Sequence, residues 1–192
     1  WGEGGAWLSG VVGLGVPVVA LGDYFACYLL DGQLFCDGDN SLDVPGFPPG
    51  SFVTVAAAGD VACGIDALNR LDCSGVNEFE HQFSLLRIGI GQVAAGASHT
   101  CNLAGNGLLD CWGDNAVGQR AAPPVRGRAL SVEADHACAI ATDGSLRCWG
   151  DDSRGGNQPP VDMLARDLDV GQFNGCAVRG DGDAACWGWN VN

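Results

Sequence analysis

Lysine is absent from this 192-residue sequence, methionine occurs once and histidine three times. All nine cationic side chains are therefore Arg, set against 23 Asp and Glu, for a formal net charge of −14. A surface this acidic repels phosphate backbones, which argues against nucleic-acid binding. No stretch reaches the roughly 20 apolar residues of a membrane helix; Leu8 to Gly22 comes nearest and is broken by four Gly and Pro17. Close Cys pairs of the C-x2-C kind are missing as well, which argues against a zinc site. No Ser or Cys stands beside a His in a nucleophile signature, and no two carboxylates single themselves out as an acid and base. What the sequence does have is 31 Gly, eight Pro, ten Cys and 47% hydrophobic residues, enough for one β-rich, turn-rich domain or repeat array.

The ten Cys organise the chain. Cys138 to Gly150, CAIATDGSLRCWG, predicts a β-hairpin in which Thr142, Asp143 and Gly144 form a three-residue loop with Gly in the left-handed slot. That register sets Ile140 opposite Leu146 and Cys138 opposite Cys148. It is a non-hydrogen-bonded pair with Cα atoms about 4.5 Å apart, close enough for a disulfide.

The unit recurs from Cys27, Cys63, Cys101, Cys138 and Cys176, with steps of 36, 38, 37 and 38 residues. In the last four copies the Cys are ten apart, which needs an odd loop, and the left-handed slot falls on Asn69, Gly107, Gly144 and Gly182. In the first copy they are nine apart, which needs a two-residue loop, and Asp31-Gly32 supplies it. The predicted disulfides are therefore Cys27–Cys36, Cys63–Cys73, Cys101–Cys111, Cys138–Cys148 and Cys176–Cys186. Five such bonds point to an oxidising compartment: secreted, periplasmic or cell-surface. A start at Trp1 rather than Met is compatible with a leader having been removed.

Leu29 and Leu34, Ile65 and Leu71, Leu103 and Leu109, and Ile140 and Leu146 share the Cys face of their hairpins. Small residues and Trp112, Trp149 or Trp187 share the other. Both faces suit burial, as in sheets stacked around an axis. A β-rich segment precedes each hairpin and a turn-rich linker follows it, predicting blades of three or four strands. The fold class expected is all-β, a β-propeller of five repeats over residues 1–192, with periods 1–36, 37–73, 74–111, 112–148 and 149–186 and a closing overlap at 187–192. Trp1-Gly2 and Trp187-Gly188 share one phase, which favours a closed five-bladed ring, the alternative being an arc of a larger, seven-bladed propeller.

The pattern V-x-A-G-x-x-H-x-C-x-L, a D-G turn, L-x-C-W-G-x-N-x-x-G-Q and P-P resembles the repeat of the regulator of chromosome condensation family, most clearly from Gln92 to Pro160. The Cys pairs resemble its bacterial secreted forms. Asp37 and Ser74 stand where that pattern has Trp, and the linker from Asn77 to Gly91 lacks its landmarks. Exchange-factor and chromatin roles of the nuclear relative do not carry over, given the disulfides and the compartment they imply.

Among candidate sites, His99 and His136 occupy equivalent positions and are expected to make a repeated structural hydrogen bond; His81 stands alone. Asp37 with Asp39, Asp151 with Asp152 and Asp181 with Asp183 sit in turns, where Asp bonds to backbone, and no complete calcium loop appears. Arg179-Gly180-Asp181 is accounted for as a hairpin tip, and Gly105 with Gly107 lacks the helix of a phosphate loop. Trp7 and Trp189 fall outside the repeated Trp position and are candidate interface anchors, the alternative being that they plug the seam between the first and last blades.

No catalytic residue, metal or cofactor is expected. The functional expectation is an extracytoplasmic, non-catalytic binding or scaffold module for protein partners, either alone or as a subunit of a larger assembly, with no nucleic-acid or membrane partner. The alternatives are a secreted enzyme inhibitor, as implied by resemblance to the propeller-type β-lactamase inhibitor, and a carbohydrate-binding module.

Overall fold

The computed structural model describes residues 19–38, 46–75 and 89–189. It contains five antiparallel three-stranded sheets, each paired in sequence order. The blades are β1 (Val19–Leu21), β2 (Phe25–Leu30) and β3 (Gln33–Gly38); β4 (Phe52–Ala58), β5 (Val61–Asp66) and β6 (Leu71–Gly75); β7 (Ile90–Ala95), β8 (His99–Ala104) and β9 (Leu109–Gly113); β10 (Gly127–Glu133), β11 (His136–Ala141) and β12 (Leu146–Gly150); and β13 (Ala165–Val170), β14 (Asn174–Arg179) and β15 (Ala184–Gly188). A fourth strand does not form among the described residues. At that position there are only the isolated bridges Leu108 to Arg126 and Ser145 to Leu164.

Hairpin register follows turn chemistry. Asp31 and Gly32 both have positive φ, at 51° and 75°, the pair of left-handed residues a two-residue hairpin loop needs. Asn69, Gly107, Gly144 and Gly182 occupy the single left-handed slot of the longer loops, with φ from 57° to 102°. Cys faces Cys in all five hairpins, and the five disulfides form at Cα separations of 4.0–4.1 Å, slightly inside the expected spacing.

The hairpin tips have a second role. The carbonyl of each left-handed residue accepts from the first amide of the next blade's region: Gly32 from Phe52, Asn69 from Gly89, Gly107 from Gly127 and Gly144 from Ala165, all at 2.7–3.0 Å. A turn residue chosen for its φ thus also bonds one blade to the next. At the opposite end, the amides of Asp23 and Ala97 donate to the carbonyls of Gly59 and Ala134, again crossing between neighbours.

The core is a series of four interblade seams. In each, the disulfide face of one blade meets the small-residue face of the next. Cys27 and Leu34 pack on Phe52, Val55 and Ala62. Cys63, Ile65 and Leu71 pack on Val93 and Trp112. Cys101, Leu103 and Cys111 pack on Leu130, Val132, Ala137 and Trp149. Ile140 and Leu146 pack on Met163, Ala165 and Ala177.

No packing of comparable extent joins β13–β15 to β1–β3. Among the described residues the blades therefore form an open arc, and not the closed ring favoured by the matching phase of the two ends. Phase match reports periodicity of the sequence; closure needs each blade to turn through a full fifth of a circle. The end faces show the difference: Leu21 is 69% exposed, and Cys176 and Cys186 are exposed although their counterparts Cys27, Cys63, Cys101 and Cys138 are wholly buried.

Candidate interaction surface

The five inner strands converge on one open cavity of about 340 Å³, lined by Ala20, Ala56, Val93, Leu130, Glu133 and Asp169 among others. Polar ties hold adjacent inner strands together around it. The Gln92 amide donates to the Leu130 carbonyl at 2.7 Å and accepts from its N–H at 3.1 Å. One blade on, the Ser131 hydroxyl donates to Asp169 and accepts from the Val170 amide. Burial, and after it the nearby Asp169 and Asp23 carboxylates, push the Glu133 carboxyl above its ordinary range. The Glu133 and Asp169 carboxylates on its lining disfavour a phosphate chain there.

The linkers after β9 and β12 are anchored from below by tryptophan. The Trp149 indole donates to the Gln119 carbonyl at 2.9 Å and that of Trp187 to the Gly156 carbonyl at 2.7 Å. Gln119, 1% exposed, donates in turn to Ser98, Asp114 and Asp135, while the Ser98 hydroxyl donates to Asp135. This accounts physically for the Trp-Gly and Gly-Gln landmarks of the repeat: the indole seals a seam and the amide closes the turn above it.

His136 is 2% exposed, bonds to the backbone of Asn174 in the next blade, and has its Nε2 against Gly156. His99 is likewise fully buried. Burial lowers the His136 pKa, opposed more weakly by Asp151 and Asp135. A base whose folded pKa is depressed binds its proton more readily when unfolded, so this contribution is complete above about pH 6.5 and is lost as pH falls below it. Unfolding free energies from denaturant titrations between pH 7 and 5 should fall as pH falls, the linkage limit for one proton being ~1.4 kcal/mol per pH unit, and His136→Asn should flatten the profile.

Asp151, Asp152 and Asp181 bond to backbone in turns as expected, whereas Asp37 lies in β3 and accepts from the Tyr28 hydroxyl. Asp151 accepts from the Ser153 amide and hydroxyl, which hold its carboxyl below the usual range, and Asp143 is lowered in the same way by Ser145. Asp183 donates its amide to Asp181 at the last hairpin tip. No cluster of three potential metal ligands occurs among the described residues. Trp1, Trp7, Asp39 and His81 lie outside the described residues.

Trp189 is 48% exposed, and its partners are residues that the sequence pattern did not connect to it. Phe173, from the β13–β14 turn, meets it edge to face at a centroid distance of 5.7 Å. The Arg154 guanidinium, from the preceding linker, lies 4.1 Å from the Trp189 ring and 4.5 Å from the Phe173 ring. Each residue comes from a different segment, so only the folded seam brings them together.

Residues 91–119 and 134–155 match the family described as Regulator of chromosome condensation (RCC1) repeat. No curated protein matches the chain. Among solved structures, the ectodomain of the Physcomitrella patens receptor kinase CR4 is 23% identical over 91% of this chain and 52% of its own, with a TM-score of 0.77. The CRINKLY WD40 ectodomain of the Arabidopsis thaliana receptor kinase ACR4 is 23% identical over 90% and 68%, with a TM-score of 0.73. Prp20p of Saccharomyces cerevisiae, described with its binding to Gsp1p and histones, is 17% identical over 88% and 57%, with a TM-score of 0.74. The chain thus spans about half the length of the CR4 ectodomain. Two segments thus match the repeat in sequence, and blade geometry and propeller neighbours give the fold of the described residues, an all-β propeller of three-stranded blades.

Proposed function

We propose that the chain is an extracytoplasmic, non-catalytic platform for binding protein partners. The observation that carries this is the disulfide in every blade, four of them with a wholly buried first Cys, which fixes the linker loops on a rigid support in an oxidising compartment. Loops on a stiff scaffold bind at little cost in lost conformational freedom. Similar propellers occur in receptor-kinase ectodomains, and one related structure is of yeast RCC1 bound to Kap60, which supports protein ligands in general.

Cross-linking of native material followed by native mass spectrometry tests this. The expected result is a discrete complex with at least one other protein, dissociating without loss of the five disulfides. Recovery only as a partnerless chain with free thiols would overturn both the binding role and the compartment.

A further inference from the structure

Across the last three repeats the chemistry changes at the fifth. Backbone hydrogen bonds align the turns after the third, fourth and fifth hairpins: the Asp114 amide donates to the Ser98 carbonyl, Asp151 to Asp135 and Trp189 to Phe173. In the first two turns the aligned positions are polar and occupied with each other's turn. Asp114 accepts from the amides of Asn115 and Ala116, Asp151 accepts from Ser153, and Ser98 donates to Asp135. In the third turn both positions are aromatic, as Phe173 and Trp189, and between them lies Arg154. Two hydrogen-bonding positions have been replaced by rings that close no turn and bond to no backbone through their side chains among the described residues.

Arg154 is left ready for a ligand. Its side chain is exposed, and among the described residues its guanidinium donates no hydrogen bond and has no carboxylate at ion-pair distance. Asp151 in its own turn feels the Arg154 charge but gives its hydrogen bonds to Ser153. Rings at 4.1 and 4.5 Å hold the guanidinium plane, so the conformational cost of fixing a long side chain has already been met. The five N–H groups on its edge form the fork that fits a carboxylate with two parallel hydrogen bonds. Beside that fork, half-exposed Trp189 offers an apolar surface. Arg and Trp in contact are the side chains that most often dominate a protein interface. A polyanion such as nucleic acid is disfavoured by the net charge of −14, which an isolated carboxylate on a peptide feels far less.

We infer that Arg154, Phe173 and Trp189 form the anchor of a docking site for an extended segment of a partner protein, recognising one Asp or Glu carboxylate next to an apolar side chain. This rests on the proposed binding role and specifies the contact.

The full, disulfide-intact chain should be titrated against short peptides carrying Glu or Asp next to Leu or Phe, and against the same peptides with Gln or Asn instead. Binding is followed by peptide fluorescence anisotropy. Acid-to-amide replacement should weaken the best peptides about tenfold or more, and Arg154→Gln, Arg154→Lys and Trp189→Ala should each do the same. Arg154→Lys keeps the charge but loses the stacked fork, so full binding by that variant would overturn the geometry. Arg120→Gln, an exposed Arg elsewhere, should bind as the parent does. Equal binding of acidic and amide peptides, or binding indifferent to Arg154→Gln, overturns the site. With partners still cross-linked to the native chain, that result would leave the broader role standing.

Discussion

Complete reduction of the five disulfides is expected to lower the thermal midpoint by more than about 15 °C, as monitored by circular dichroism on material with all ten thiols alkylated. The chain-entropy estimate for a loop of about ten residues is 2.5–3 kcal/mol per bond, and less here because a hairpin is already local. Even at ~1 kcal/mol each, five bonds sum to ~5 kcal/mol, the scale of a whole domain's net stability. Burial sets the order of loss. Cys176–Cys186 is exposed and should be reduced first under native conditions, with little effect on the other blades, whereas Cys27, Cys63, Cys101 and Cys138 are inaccessible until a seam opens. An unchanged transition with ten alkylated thiols would show that the seams alone carry the fold.

Gly150→Ala should cost about 3 kcal/mol or more, a fall of roughly 6–12 °C in midpoint. Gly150 has φ of 97°, where a side chain is strained, and a Cβ there would overlap the Asp135 carbonyl and the Cα of His136. Its equivalents Gly75, Gly113 and Gly188 also have positive φ, and a Cβ on each would meet the backbone of Asp60, Ser98 or Phe173. The Gly of the Trp-Gly pair is therefore required where the third strand leaves the blade close against the first turn. Gly180→Ala is the control: nothing lies within 4 Å of a Cβ there, and the change should stay within about 0.5 kcal/mol. Equal effects at the two positions, measured by denaturant unfolding, would refute the steric account.

The blades could be read from sequence because their determinants are local. A loop length and one residue able to take positive φ fix a hairpin register, and from it follow the Cys pairing and the side chains on each face. The open arc could not be read in the same way. Cys176 and Cys138 occupy the same position in near-identical patterns, yet one is exposed and the other buried, because burial depends on whether a neighbouring blade is present. Curvature around the axis is likewise a property of the seams and leaves no periodic mark in the chain. Trp189 stood out as a Trp off the repeat, but its contacts with Arg154 and Phe173 depend on three segments meeting at the last seam. A signal was nonetheless present: both aligned turn positions, polar in the third and fourth repeats, are aromatic in the fifth, visible once those repeats are aligned through their Gly residues.

The burial of each disulfide under the following blade also sets a timetable for making the protein. Cys27 is open to an oxidant until the blade that begins at Phe52 settles over it, and Cys63, Cys101 and Cys138 are covered in the same way, while their partners Cys36, Cys73 and Cys148 stay partly exposed. Each bond must therefore close within its own hairpin before its successor docks, and the short separation of nine or ten residues makes that the fastest pairing available to those thiols. Assembly from the N-terminal side would then proceed as a ratchet, in which the first Cys of each of the first four finished hairpins is covered by the arrival of the next blade.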